Sequence, residues 1–115
     1  MSDPGQPPTG IRHVAHIRID PSLDDEPRNA LERDLRRLVH EHPHALRGTL
    51  HRDLGRRPEA PAMATWMVCL DFESMADFEA YLDSRLHRDF LQTHQQSMAY
   101  ITGIQVPLDG FVGPW

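Results

Sequence analysis

The sequence predicts a single α+β domain in which four antiparallel strands carry helices on one face, in the order βαββαβ. Four segments have the alternating or continuously apolar pattern of strands, and the segments between them space apolar residues as helices do. At 115 residues, the chain is too short for two independent cores. Its 39% hydrophobic and 25% charged residues are ordinary for a globular domain. This arrangement of elements is the ferredoxin-like, split-βαβ fold.

The first half of the chain predicts one strand followed by one helix. The strand covers residues 11–19, whose alternate positions share one face: Ile11, His13, Ala15, Ile17 and Ile19. Ser22 and Asp25 have the spacing of a capping box, which predicts a helix over residues 23–41. Its inward stripe consists of Leu31, Leu35, Leu38 and Val39. Pro43 is expected to stop this helix.

The second half predicts a hairpin, two short helices and a last strand. The second strand covers residues 46–54 and is expected to turn one apolar face inward: Leu46, Gly48, Leu50 and Leu54. The third strand, residues 63–72, is apolar on both faces and is therefore predicted to be central. Ser74 caps a helix whose inward stripe is Met75, Phe78 and Leu82. A helix near residues 86–96 turns Leu86 and Phe90 inward, and residues 99–106 form the fourth strand.

Composition limits the partners and the compartment. The net charge of -5 and the pI near 5.8 disfavour nucleic acid and anionic membrane surfaces as partners. Cys69 is the only cysteine, so no intrachain disulfide is predicted, and the thiol is interpreted as buried. Residues 1–10 lack the pattern of a secretion signal and are expected to form a flexible tail. Residues 107–115 are expected to form an irregular, partly aromatic C-terminal tail. We therefore expect a cytoplasmic protein.

The sheet face away from the helices is expected to be too apolar to remain in contact with water. Its predicted residues are Val14, Thr49, Thr65, Met67 and Cys69. A second copy of the chain would cover such a face, so the sequence predicts a homodimer through the open sheet.

Three segments resemble the stress-responsive A/B barrel, or Dabb, family. They are the first strand from Ile11 to Ile17, the end of the third strand from Leu70 to Ser74, and the helical stretch from Phe78 to Phe90. The resemblance implies a dimeric α/β barrel. Within the family the chain is most similar to polyketide cyclases of the olivetolic acid cyclase type, which use neither metal nor organic cofactor.

That resemblance implies a candidate site. The catalytic Tyr and His of these cyclases fall on Tyr81 and His87, and a pocket His falls on His13. A further pocket His is replaced by Trp66, which puts a shared substrate in doubt. Many family members carry His-Pro-x-His before the last helix, whereas this chain keeps only the final His, in Ser84-Arg85-Leu86-His87.

The residue types suit ring closure of a small polyketide or related ketone. A histidine near neutrality can remove a proton from an acidic methylene, and a tyrosine hydroxyl can donate a hydrogen bond to the attacked carbonyl. The two residues are six positions apart, about 240° around an unbroken helix. They converge only if the chain bends between them, and Asp83-Ser84 is the predicted break. The substrate-binding residues are predicted to be His13, Trp66, Phe78 and Phe90.

Other interpretations remain open. The same residues would fit a non-catalytic stress-responsive dimer, or one that only binds a small hydrophobic ligand. A third hypothesis is a cofactor-independent monooxygenase of aromatic polyketides. The three histidines around Pro43, namely His40, His42 and His44, suggest a metal site, but the proline disrupts their spacing and no Cys or carboxylate completes a ligand set. No metal is therefore predicted.

Overall fold

The structure is a computed structural model that describes residues 10–42, 44–54 and 65–108. Its elements are β1 (Ile11–Ile19), α1 (Asp25–Glu41), β2 (Arg47–Arg52), β3 (Trp66–Phe72), α2 (Met75–Asp83), α3 (Arg85–His94) and β4 (Met98–Pro107). The predicted order βαββαβ is confirmed, with the second helical region divided into α2 and α3. Most of both predicted tails and Pro43 lie outside the described residues. None of the helices in the described ranges has the length and apolar content needed to cross a bilayer.

The strands form one antiparallel sheet in the order β2-β3-β1-β4. The prediction that the third strand is central is confirmed. In the β1–β3 pair, Ile17 lies opposite Trp66 and Ile11 lies opposite Phe72. In the β1–β4 pair, Gln105 lies opposite His13. Because residues directly opposite each other point to the same side of a sheet, this register decides which side chains can meet.

The core lies between the sheet and the helices. The predicted stripe of α1 is fully confirmed, because all four of its residues are buried. They pack with the helix-facing residues of the two central strands: Ile11, Ala15, Ile17, Trp66, Val68, Leu70 and Phe72. From α2 and α3, Phe78, Tyr81 and Phe90 complete the core. Burying these side chains is the main favourable contribution to folding.

The inward face of α2 differs from the prediction. Met75 and Leu82 are exposed to 46% and 36%, whereas Tyr81 is only 2% exposed. Around the helix axis, Tyr81 lies on one side of Phe78, while Met75 and Leu82 lie on the other. The helix is rotated so that the larger aromatic ring enters the core, and the predicted stripe of Met75, Phe78 and Leu82 is wrong except at Phe78.

Two boundaries also differ from the predictions. Leu46 and Leu54 are 61% and 85% exposed and lie beyond the ends of β2, which covers only Arg47–Arg52 at the edge of the sheet. The predicted Ser22 cap is wrong, because α1 begins after Asp24. Ser22 instead donates through its N–H and Oγ to Asp20 Oδ1, at 3.0 and 2.8 Å, in a turn before the helix.

The open face of the sheet is partly apolar, as predicted. The five residues named for it are each half-buried, and β4 adds the exposed side chains of Tyr100 and Ile104 on the same side. Arg12 crosses this face and donates two hydrogen bonds to Asp71, at 2.8 and 3.0 Å. The face therefore combines apolar surface with one well-formed ion pair.

Candidate functional site

The site begins at the break between α2 and α3. Ser84 has extended backbone angles, φ -66° and ψ 151°, so the helix cannot continue through it. Its Oγ donates to the Tyr81 carbonyl at 2.6 Å and accepts from the His87 N–H at 3.3 Å. The predicted break and the predicted Ser84 cap are both confirmed. As a result, the rings of Tyr81 and His87 meet with their centroids 4.8 Å apart, so the predicted convergence is also confirmed.

His87 is held in one tautomer. Its Nδ1 lies 3.1 Å from the Leu82 carbonyl oxygen, which can only accept, so Nδ1 carries the proton. The lone pair of the neutral ring is then on Nε2. Burial lowers the pKa of His87, and the hydrogen bond to Leu82 offsets part of this shift. The side chain is therefore a neutral base at physiological pH.

Tyr81 supplies a neutral hydroxyl. Its ring packs against Phe72 at 5.4 Å and His13 at 6.2 Å. Burial raises the pKa of Tyr81 far above physiological pH, so the phenol keeps its proton. The hydroxyl forms no hydrogen bond with any residue in the described ranges. It is therefore a hydrogen-bond donor that keeps its proton at physiological pH.

His13 completes the group from β1. The amide nitrogen of Gln105 lies 2.9 Å from Nδ1, and because an amide nitrogen only donates, the neutral imidazole carries its proton on Nε2. The ring packs 5.0 Å from Phe78. Burial lowers the pKa of His13, and His87 lowers it further through like-charge repulsion. His87 thus offers a lone pair on Nε2, and His13 offers an N–H on Nε2.

Gln105 and Gly103 were not predicted as site residues. A Cβ on Gly103 would lie 2.8 Å from His13 Cε1, so the absence of a side chain there makes room for the imidazole. Only the register of β1 with β4 brings these residues to His13, and no local motif marks them. Phe72 was also missed as a neighbour of Tyr81, although it lies in the predicted third strand.

Two of the predicted binding residues stand apart from this cluster. Trp66 lies four residues from Leu70, the partner of His13, which is about 13 Å along the sheet. Phe90 packs 5.1 Å from His94 on the side of α3 that faces α1. His94 Nε2 donates to Asp34 Oδ2 at 2.6 Å, a half-buried contact that the sequence analysis did not foresee. The structure brings together His13, Phe78, Tyr81 and His87, and leaves Trp66 and Phe90 elsewhere.

Three surface cavities are lined by described residues, with volumes of about 160, 410 and 520 Å³. Phe90 lines the first of them, and Trp66 lines both of the others. Neither His13 nor Tyr81 nor His87 lines any of these three. The two imidazoles are half-buried and so reach the surface of the chain. His13 does so beside the exposed helix-side strip of β4, formed by Ile101, Gly103 and Gln105.

Of the three histidines around Pro43, His42 has a structural role. His42 accepts from the Ala45 N–H through Nδ1 at 3.3 Å, and its Nε2 donates to the Val39 carbonyl at 3.0 Å. Both ring nitrogens are therefore engaged at the end of α1. Within the described residues, no group of three or more His, Cys, Asp or Glu side chains is arranged to hold a metal ion.

No protein-family model and no curated protein sequence matches this chain. Solved structures do. A dimeric ferredoxin-like protein of unknown function from Thermobifida fusca matches with a TM-score of 0.71 and 25% identity, over 86% of this chain and 91% of that one. Hydroxynitrile lyase from Passiflora edulis matches with a TM-score of 0.71 and 22% identity, over 87% and 94%. A Dabb family protein with a ferredoxin-like fold from Mesorhizobium loti matches with a TM-score of 0.69 and 15% identity, over 86% and 97%. The predicted ferredoxin-like fold is confirmed, and the Dabb family protein is one of the structures that share it.

Proposed function

We propose that the protein is a general acid–base enzyme that carries out an aldol-type ring closure on a small polyketide or related ketone. The observation that carries the proposal is the meeting of Tyr81 and His87 across the helix break, 4.8 Å between ring centroids. Their protonation states are complementary: His87 presents a basic Nε2, whereas Tyr81 presents a hydroxyl proton. His13 adds an N–H on the same side of the sheet.

In this proposal His87 Nε2 removes a proton from a methylene between two carbonyl groups. The resulting enolate carbon attacks a second carbonyl of the same molecule, forming the new carbon–carbon bond. Tyr81 and His13 donate hydrogen bonds to the oxygen on which negative charge develops. The protonated His87 then returns its proton to that oxygen, so the site ends in its starting state.

The substrate is proposed to approach over the helix-side strip of β4. Because Gly103 has no side chain, the His13 imidazole lies directly against this strip, and Ile101 offers exposed apolar surface, 45% accessible. We further propose that a second copy covers the open sheet face, since that face carries Ile104 at 59% exposure and the matching Thermobifida fusca protein is described as dimeric. Sedimentation velocity at several protein concentrations tests the homodimer, and a monomer throughout would contradict it.

The chemistry is tested with linear poly-β-keto thioesters, following products by liquid chromatography and mass spectrometry. His87→Ala is expected to lower the enzyme-dependent rate by about 10²–10⁴, the contribution typical of a general base. Tyr81→Phe is expected to lower it by about 10². His40→Gln is the matched control, because His40 is exposed on α1 and lies outside the cluster. Product distributions that are the same in all four proteins would refute the assigned roles.

Cleavage of a hydroxynitrile is the second candidate, favoured by the match to the Passiflora edulis enzyme over 87% of this chain. In this reaction a base removes the hydroxyl proton of the hydroxynitrile, and the bond from the same carbon to cyanide breaks. His87 could be that base. Release of benzaldehyde from mandelonitrile tests this activity, again with His87→Ala and His40→Gln. If both substrate classes are bound without turnover, the ligand-binding dimer is the better description. Oxygen uptake with an anthrone tests the monooxygenase hypothesis.

A further inference from the structure

A second candidate site lies at the end of the sheet away from Tyr81 and His87. It is the cavity of about 410 Å³ between the end of β1, the first turns of α1, the end of β2 and the start of β3. Its volume falls within the range of small-molecule sites, roughly 300–1,000 Å³. Trp66, Ile19 and Pro21 supply apolar surface, and the remaining lining is mostly charged.

The charge in this cavity is unbalanced toward positive. Arg18, Arg28 and Arg52 line it, with Asp20 and Glu32 as the acidic residues. Both carboxylates already have partners: Asp20 accepts two hydrogen bonds from Ser22, and Glu32 pairs with Arg36 at 3.0 Å. None of the three lining arginines forms an ion pair with a carboxylate in the described parts of the chain. The lining thus carries three arginines against two carboxylates, an excess of one positive charge, in a chain whose net charge is -5.

The same wall holds hydrogen-bond donors without acceptors. Trp66 is 6% exposed, and its indole Nε1 is buried with no hydrogen-bond partner. The Arg28 Nε is likewise buried and unpartnered, although the guanidinium donates through Nη2 to the Leu23 carbonyl at 3.2 Å. The guanidinium of Arg52 lies over the Trp66 ring, 5.6 Å from its centroid. Both N–H groups are closed to solvent, so the exposed Arg52 guanidinium over the Trp66 ring is the donor that this wall presents to an oxyanion.

We propose that this cavity binds the anionic group of a small organic acid, a carboxylate or a phosphate ester. Arg18, Arg28 and Arg52 balance its charge, and the exposed Arg52 guanidinium donates hydrogen bonds to it. The apolar surface around Trp66 contacts the organic part of the ligand. The inference does not depend on the chemistry at His87, because the two sites share no residue and lie at opposite ends of the sheet.

The test uses hexanoate and hexyl phosphate as probes, with hexanamide as the uncharged analogue and inorganic phosphate as the anion without an organic part. The chain has two tryptophans, so Trp115→Phe leaves Trp66 as the only tryptophan reporter of binding. We expect a saturable change in Trp66 fluorescence with both organic anions and none with hexanamide. Inorganic phosphate is expected to bind roughly tenfold more weakly, because it makes no apolar contact. Rising ionic strength is expected to weaken binding of both organic anions.

Arg52→Gln, made in the Trp115→Phe protein, is expected to raise the dissociation constant roughly tenfold, the effect of losing one charge-assisted hydrogen bond. The matched control is Arg85→Gln, which removes one positive charge from a side chain that is 95% exposed on α3, and it should leave the constant unchanged. Circular dichroism of each variant establishes that it is folded. Absence of saturable binding in the folded protein, equal binding of hexanamide or of inorganic phosphate, or an equal loss in both arginine variants would each overturn the proposal.

Discussion

Replacing Ser84 with alanine tests the link between the helix break and the proposed site. The variant loses the 2.6 Å hydrogen bond to the Tyr81 carbonyl and the 3.3 Å capping bond from the His87 N–H. Loss of a helix cap typically costs about 1 kcal/mol, so we expect the free energy of unfolding to fall by about 1–2 kcal/mol. Alanine also favours a helix through position 84, which would turn Tyr81 and His87 away from each other.

The expected effect on activity is larger than the effect on stability. A displacement of about 1 Å in a catalytic group can cost about 100-fold in rate, so we expect kcat/KM to fall at least that far under conditions in which the variant stays folded. Stability is measured by urea denaturation, and activity by formation of the ring-closed product. The two measurements separate loss of the fold from loss of the site geometry.

Ser74→Ala is the matched control. Ser74 caps α2 in the same way, accepting from the Asp77 N–H at 3.1 Å, and its loss is also expected to cost about 1 kcal/mol. Because it lies at the other end of α2 from the break, activity should stay within a few-fold of the unaltered protein. If activity fell equally in both variants, or survived in Ser84→Ala, the break would have no special part in the site.

Three further predictions follow from the same geometry. Gly103→Ala should change the free energy of unfolding by less than about 1 kcal/mol, since only the His13 ring must move. The movement should shift the His13 Cε1–H resonance and lower activity. An unchanged resonance would contradict the close approach of Gly103 to His13. Burial lowers the pKa of His13 and of His87 from the usual value of 6.5. As the pH falls below about 6.5, the unfolded chain therefore binds protons before the folded chain does, and the free energy of unfolding should decline. Urea denaturation between about pH 8 and pH 5 checks this, and the double variant His13→Gln, His87→Gln should show a flatter profile. Asp34→Ala removes the 2.6 Å partner of His94, whose side chain is only 4% exposed. We expect the free energy of unfolding to fall by about 1–3 kcal/mol, as measured by thermal or urea denaturation. An unchanged midpoint would show that the pair contributes nothing to stability.

Much of the fold could be predicted because the pattern of apolar and polar residues within each segment shows which side of it is buried. Alternation in β1, the leucine stripe of α1 and the apolar faces of β3 reflect which side of each element is buried, and the structure agrees at each. The break at Ser84 was also predictable, since a capping residue and the six-residue spacing of Tyr81 and His87 are local features. The meeting of these two side chains follows from that local geometry.

Other features of the site depend on contacts between segments that are distant in the chain. The approach of Gln105 and Gly103 to His13 is set by the register of β4 against β1, and the Asp34–His94 contact joins residues sixty positions apart. The periodicity of one helix could not decide whether Tyr81 or Leu82 enters the core, because that rotation depends on the shape of the sheet beneath it. The separation of Trp66 from His13 likewise follows from strand pairing. Sequence pattern therefore determined the elements and their buried faces, whereas packing between elements decided which side chains became neighbours.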